Sequence, residues 1–212
     1  MKWEDFIQIA GKHPVIETKI IVTGFLRPSS LQVHIGRWEN SGKLIKVKRG
    51  VYLLANPYRK IELWEPYLAS LLKRPSYLSL EKALEFHGCI PEGVPVYTSV
   101  TTKRQATYSS SAGIFSYRHI DPSLFWGYDG HTLRDQTALI ASPEKALLDL
   151  VYLYRRKLPH GYIRELRLQN VEKFDIDRLL EYAERFGKPR IVKAADSIRK
   201  HLEEIAAAEK EL

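Results

Sequence analysis

Lys46, Lys48 and Arg49 fall within four residues of one another and directly precede Gly50. Upstream of them, Ser30, Val33, His34, Arg37 and Ser41 recur at i, i+3, i+4, i+7 and i+11, which is the spacing of one helix face. That stripe is polar or small, carries one cation and has few bulky groups, so it suits the floor of a DNA groove. An arginine reading guanine is the commonest specific base contact. Lysines and arginines on a hairpin suit phosphates. Ser29, Ser30, Gln32, Val33, His34 and Arg37 are therefore the candidate groove residues, with Lys46, Lys48 and Arg49 on the backbone. Lys103 and Arg104, with Tyr97 and Tyr108 nearby, form a second basic patch that could touch DNA or a partner, or be only a charged turn. Arg155-Arg156-Lys157 closes a helix, where cations favour the dipole.

Catalytic patterns are weak. The seven histidines include no i, i+4 pair and no HExxH, and GxSxG, P-loop and GxGxxG motifs are missing. Asp175-x-Asp177 resembles a Mg²⁺-holding carboxylate pair, but it stands just before Leu179-Leu180, where an aspartate caps a helix. Glu144-Lys145 opens a helix and not a nuclease strand, and His119-x-Asp121 lacks a third member. Cys89, the one cysteine, excludes an internal disulfide and reads as a small apolar core group. The expectation is a non-enzyme with no cofactor and no metal.

The elements that must position these residues are legible in part. Trp3, Phe6, Ile7 and Ala10 predict a helix over residues 3–10, and Pro14 to Ile16 reads as extended. Residues 17–23 stay ambiguous between strand, favoured by Ile20 to Thr23, and helix. Ser29-x-x-Gln32 is a capping-box pattern that opens a helix over 29–41, with Leu31, Ile35 and Trp38 inward. Leu44 to Lys48 and Val51 to Leu54 alternate around Arg49-Gly50, a hairpin signature. Strand alternation puts Lys46 and Lys48 on one face, Ile45 and Val47 on the other. Helix, helix, helix, basic hairpin is the order of a winged helix-turn-helix, in which the third helix lies in the major groove and the hairpin flanks it.

Asn56-Pro57-Tyr58 marks a boundary, giving domains at 1–57 and 58–212. Beyond it, helices are expected over Glu62–Lys73 and Ser79–Phe86. Strands are expected at Val96–Thr102, Thr107–Tyr108 and Ile114–Ile120, with further ones near Leu124–Tyr128 and Ala138–Ala141. Ser142-Pro143-Glu144 starts a helix running to Tyr154, and shorter helices follow near 161–168, 177–186 and 189–210. The expected class is α+β: an N-terminal winged helix and a C-terminal domain with an antiparallel sheet and flanking helices.

Charge distribution agrees with this division. The chain of 212 residues carries a net +8. Residues 1–60 hold 11 Lys and Arg against 4 Asp and Glu, whereas residues 61–150 hold 8 against 10. Excess positive charge thus concentrates in a segment the size of a small nucleic-acid-binding module. No apolar run approaches a membrane span, and the acidic start Glu4-Asp5 is unlike a signal peptide, so a cytoplasmic protein is expected.

Five ordered runs carry a family resemblance: Lys46–Leu53, Pro75–Gly88, Thr98–Arg104, Phe115–Ile120 and Ser142–Leu150. The chain resembles AbiEi, the antitoxin and transcriptional repressor of type IV toxin–antitoxin (abortive infection) systems. The resemblance implies a winged helix that binds inverted repeats in double-stranded DNA of its own promoter. It also implies a C-terminal domain that counters a nucleotidyltransferase toxin without a stable complex, and a monomer or weak dimer that pairs on DNA. Two other classes remain open: a protein-docking winged helix or solitary regulator without a toxin partner, and a nuclease or transferase, which would need carboxylates converging in a cleft.

Overall fold

The structure, a computed structural model, describes residues 2–20, 28–154 and 161–210, with only the backbone of residues 28–30 and 210. The first helix, α1 (Trp3–Ala10), leads to a two-residue strand, β1 (Ile16–Glu17), and backbone turns helical again at Thr18–Ile20. The strand-or-helix ambiguity over 21–23, and Arg155-Arg156-Lys157, lie outside the described residues. Helix α2 (Pro28–Asn40) precedes strands β2 (Leu44–Lys48) and β3 (Val51–Leu54). These strands form an antiparallel three-stranded sheet in the order β1-β3-β2.

All four residues of β3 are buried because both faces of this small sheet are covered. On one face, Leu44, Tyr52 and Leu54 meet Phe6 and Ala10 of α1 and Leu31, Ile35 and Trp38 of α2. The Phe6 and Trp38 rings lie 4.5 Å apart, and Trp3 stands 5.1 Å from both Trp38 and Tyr58. On the other face, Val47, Val51 and Leu53 join Leu68 and Leu72 of α3 (Glu65–Leu72) and Phe115 and Tyr117 of the larger sheet. One apolar cluster therefore runs across the Asn56-Pro57 boundary. Fully burying one such large side chain contributes ~1.5–3 kcal/mol, so the two parts fold against one another and not as beads on a linker.

The larger sheet has six strands in the order β6-β7-β5-β4-β9-β8. They are β4 (Ser76–Leu78), β5 (Val96–Thr101), β6 (Ala106–Ser110), β7 (Gly113–His119), β8 (Tyr128–Leu133) and β9 (Gln136–Ala141). The chain is thus mixed α+β, and most ladders are antiparallel. The expected antiparallel sheet is revised in two places, because β5 pairs with β7, and β4 with β9, in parallel. The β6–β7 hairpin folds back so that β7 and not β6 lies beside β5.

Two strands escaped the sequence. β4 has three residues squeezed between Pro75 and the helix α4 (Leu80–Phe86). β8 reads Tyr-Asp-Gly-His-Thr-Leu, an exposed edge strand without the apolar alternation a buried face imposes. Instead of a strand at 124–128 the chain makes a 3₁₀ turn, Pro122–Leu124, capped by the Asp121 carboxylate.

Helix α5 (Pro143–Leu153) is the centre of the larger core, buried from Pro143 to Val151. Its expected cap is present, with Ser142 Oγ accepting from the Lys145 amide at 3.3 Å. Helices α6 (Tyr162–Glu165), α7 (Ile176–Arg185) and α8 (Pro189–Lys210) follow, with a 3₁₀ turn at Val171–Lys173. Asp175 caps α7 as expected, accepting from the Arg178 amide at 3.0 Å. No helix among the described residues is long and apolar enough to cross a membrane.

Candidate nucleic-acid interface

Helix α2 separates its faces as the spacing predicts. Leu31, Ile35 and Trp38 point into the core, while Gln32, Val33 and Arg37 are exposed, Val33 by 55 %. His34 lies at the margin, half-buried, its ring stacked on Trp38 at 5.6 Å. Ser29 belongs to the first turn of α2, but the side chains of Ser29 and Ser30, including the expected cap, lie outside the described residues.

The hairpin departs from strict alternation. Lys46 pairs with Tyr52, but Lys48 pairs with Val51, so two β2 residues oppose one β3 residue. Such a bulge re-aims the side chains beyond it. Lys46 stays on the α2 side, 3.5 Å from the Glu39 carboxylate. Both partners are partly exposed, and an ion pair of that kind is worth little, so Lys46 can exchange Glu39 for a phosphate. Lys48 turns away. Its ammonium donates to the Leu72 carbonyl at the end of α3 and stands 5.5 Å from the Tyr108 ring centroid. Desolvation lowers its pKa; Glu17 opposes this, while Lys73, Lys19 and Arg74 add to it. Lys48, expected on a phosphate, thus has its ammonium engaged by the Leu72 carbonyl and lies off the Lys46 face, although the residue still borders the groove between α2 and the hairpin.

Arg49 at the tip is exposed. The turn needs Gly50, whose φ is +82° and whose carbonyl accepts from the Thr18 amide at 3.0 Å. An added Cβ would sit 3.2 Å from Thr18 Oγ1, in a region of φ that other residues enter only with strain. Thr18, Lys19, Gln32, Ile35, Lys48 and Arg49 line a groove of about 340 Å³ between α2 and the hairpin. Gln32 and Arg49 are thus brought to one concavity. Arg37 lies outside its lining, further along α2.

Lys103 and Arg104 are exposed in the turn between β5 and β6. His119 Nδ1 lies 3.0 Å from the Lys103 carbonyl, fixing this turn to the end of β7. The expected aromatic neighbours are elsewhere. Tyr97 stacks on Phe115 at 5.3 Å, and Tyr108 meets Tyr117 edge-on at 5.8 Å. Strand register puts all four rings on the inner face, where they cover the back of the small sheet. The cavity beside Arg104 shares no lining residue with the α2 groove.

A buried polar network in the larger core was missed. Lys145 and Asp149 are both fully buried and ion-paired one helical turn apart. Lys145 Nζ also donates to Tyr77 Oη at 2.9 Å, while Tyr77 Oη and Ser79 Oγ each donate to Asp149 Oδ2 at 2.8 Å. The ammonium is flanked by Trp126 and Phe186, 4.9 and 4.8 Å from their centroids. Desolvation pushes Lys145 down and Asp149 up, and each charge opposes the other's shift. The i, i+4 spacing was visible, but Tyr77 and Ser79 are about 70 residues away, beyond any local pattern. With no exposed member, the network pins α5 to β4 and offers no surface to a substrate. Burial likewise pushes the Cys89 thiol up to about 11, which fits an inert core group. Among the described residues no cluster of three or more His, Cys, Asp or Glu is placed to hold a metal ion.

No protein-family model matches the chain, and no curated protein is significantly similar to it. The fold and the surface geometry therefore carry the functional argument.

Proposed function

We propose that the protein is a DNA-binding transcriptional repressor whose first 57 residues act as a winged helix. Helix α2 enters the major groove, Arg49 at the hairpin tip and Lys46 meet phosphates, and two copies occupy an inverted repeat. One observation carries this reading: α2 exposes Gln32, Val33 and Arg37 beside a hairpin tip bearing Arg49, while the rest of the protein packs on the opposite face of the small sheet. Among the described residues the C-terminal part packs away from this exposed side of α2. Concentration of positive charge in residues 1–60 supports an anionic partner.

Resemblance to AbiEi extends the proposal to an antitoxin that autoregulates its operon and antagonises a nucleotidyltransferase toxin from the C-terminal part, without catalysis of its own. Selection from a pool of random duplexes tests the DNA-binding core. The expected result is enrichment of an inverted repeat whose half-sites lie on one face of the duplex. Absence of any retarded duplex at about 50 mM salt, where phosphate contacts are strongest, would exclude it and favour a protein-docking module.

A further inference from the structure

A second cationic concavity lies away from α2. Thr102, Arg104, Gln105, Arg118 and His119, at the end of strands β5–β7, face Leu153 at the end of α5 across a cleft of about 610 Å³. His119 and Leu153 also line an adjoining cleft of about 490 Å³ that continues past Tyr152 to Lys188 and Arg190, where α8 begins. The two join at His119 into one furrow bordered by Arg104, Arg118, Lys188 and Arg190.

Its arginines keep their charge among the described residues. Among the described residues Arg104 and Arg118 take part in no ion pair, and both are exposed. Arg190 donates to the Tyr154 and Tyr152 carbonyls at 2.9 and 3.2 Å, which are neutral acceptors, so its full charge remains. Lys188 stands 5.5 Å from the Tyr152 ring centroid. Among the described residues one carboxylate, Asp121, borders the furrow, and its oxygen Oδ1 is bonded by Ser123 N and Oγ at 2.9 and 2.7 Å. Among the described residues four cations thus border one acid, whose charge also acts on Lys188 and His119.

We propose that this furrow binds the phosphate backbone of a single nucleic-acid strand. A duplex meets a protruding helix well, but its rigid double backbone cannot bend into a concavity of this size. A single strand can follow a cationic groove, and half-buried Tyr152, its ring 5.7 Å from Phe186 and 5.5 Å from the Lys188 ammonium, forms part of the wall. Arginines distributed over two adjoining clefts suit more than one phosphate. The site is independent of α2, so it stands or falls separately from the duplex-binding proposal.

The test uses the full chain and fluorescence anisotropy of a labelled mixed-sequence single-stranded 12-mer. Arg104→Ala/Arg118→Ala is expected to weaken strand binding at least fivefold. It should flatten the log K against log salt slope by about 1.4, from two contacts at ~0.7 each. The variant Arg37→Ala/Arg49→Ala is expected to bind the strand like the wild type. Both variants alter exposed groups, and matching thermal unfolding of wild type and variants establishes that the fold is kept. Unchanged strand affinity in Arg104→Ala/Arg118→Ala overturns the proposal. So does a result in which that variant loses only binding of ATP or inorganic pyrophosphate, since the furrow would then serve a small phosphorylated ligand.

Discussion

The Lys48 ammonium reaches across from the basic hairpin to donate to the Leu72 carbonyl at the C-terminal end of α3. A cation that the sequence offers to DNA instead satisfies a helix-end carbonyl, a group that has no partner within its own helix, and faces the Tyr108 ring. It ties the small sheet to the larger one.

That placement predicts how Lys48→Met behaves. The stem is kept and the charge lost, so the protein should lose about 1.5 kcal/mol of stability, the lower end for a hydrogen bond to a charged group, since Lys48 is only partly buried. Duplex binding should keep its salt dependence. Urea unfolding and a salt titration check both. A slope that flattens by about 0.9, the value of one phosphate contact, with stability unchanged, would return Lys48 to the DNA surface.

What the sequence disclosed follows the range of the physics involved. Helix α2, its inward stripe of Leu31, Ile35 and Trp38, and the hairpin strands were legible because amphipathic spacing and a two-residue Gly turn are local signals. The caps at Ser142 and Asp175 were legible for the same reason. The Lys48 position was not, because a bulge at Val47 is set by what both faces of the sheet pack against. Lys145–Asp149 was visible only as an i, i+4 pair on a helix. Its burial depends on Tyr77 and Ser79, brought there by a parallel pairing of β4 with β9 that no local pattern encodes. Of the groove residues, Val33 and Arg37 are exposed where helical periodicity put them, Gln32, read as a capping partner, is exposed beside them, and His34 is drawn partly under by Trp38.

The buried network predicts a strong asymmetry between single and double replacement. In Asp149→Asn the Tyr77 and Ser79 hydroxyls keep an acceptor, but Lys145 loses its counter-charge in a fully buried site. Removing one partner of a buried pair costs about 3–5 kcal/mol. Lys145→Met/Asp149→Asn removes both charges and should recover at least half of that loss in denaturant unfolding. A double variant no more stable than Asp149→Asn would show that the pair is not the origin of the loss.

His87 gives the larger core a pH dependence. Its Nε2 lies 2.8 Å from the Ala141 carbonyl, so this nitrogen carries the proton of the neutral ring. Desolvation chiefly lowers its pKa below 6.5, with the Ala141 contact and Glu144 opposing and His131 and Lys173 reinforcing. A lowered folded pKa means that the unfolded chain binds the proton more readily. The contribution is present above about pH 6.5 and is lost as pH falls through the folded value. Thermal unfolding between pH 7.5 and 5.5 should fall more steeply for the wild type than for His87→Gln, which keeps a donor without titrating. Parallel curves for the two proteins would remove His87 as the source.

The exposed face of α2 is tested most directly by measuring Arg37→Ala and Arg49→Ala on two duplexes, the selected inverted repeat and an unrelated sequence. A side chain that reads a base edge contributes about 1–3 kcal/mol of discrimination, whereas a phosphate contact carries none. Arg37→Ala should therefore lower affinity for the selected site roughly tenfold to a hundredfold and leave the unrelated duplex nearly untouched, and Arg49→Ala should weaken both alike. Equal losses on both duplexes for Arg37→Ala, or no loss on either, would contradict the placement of α2 in the groove.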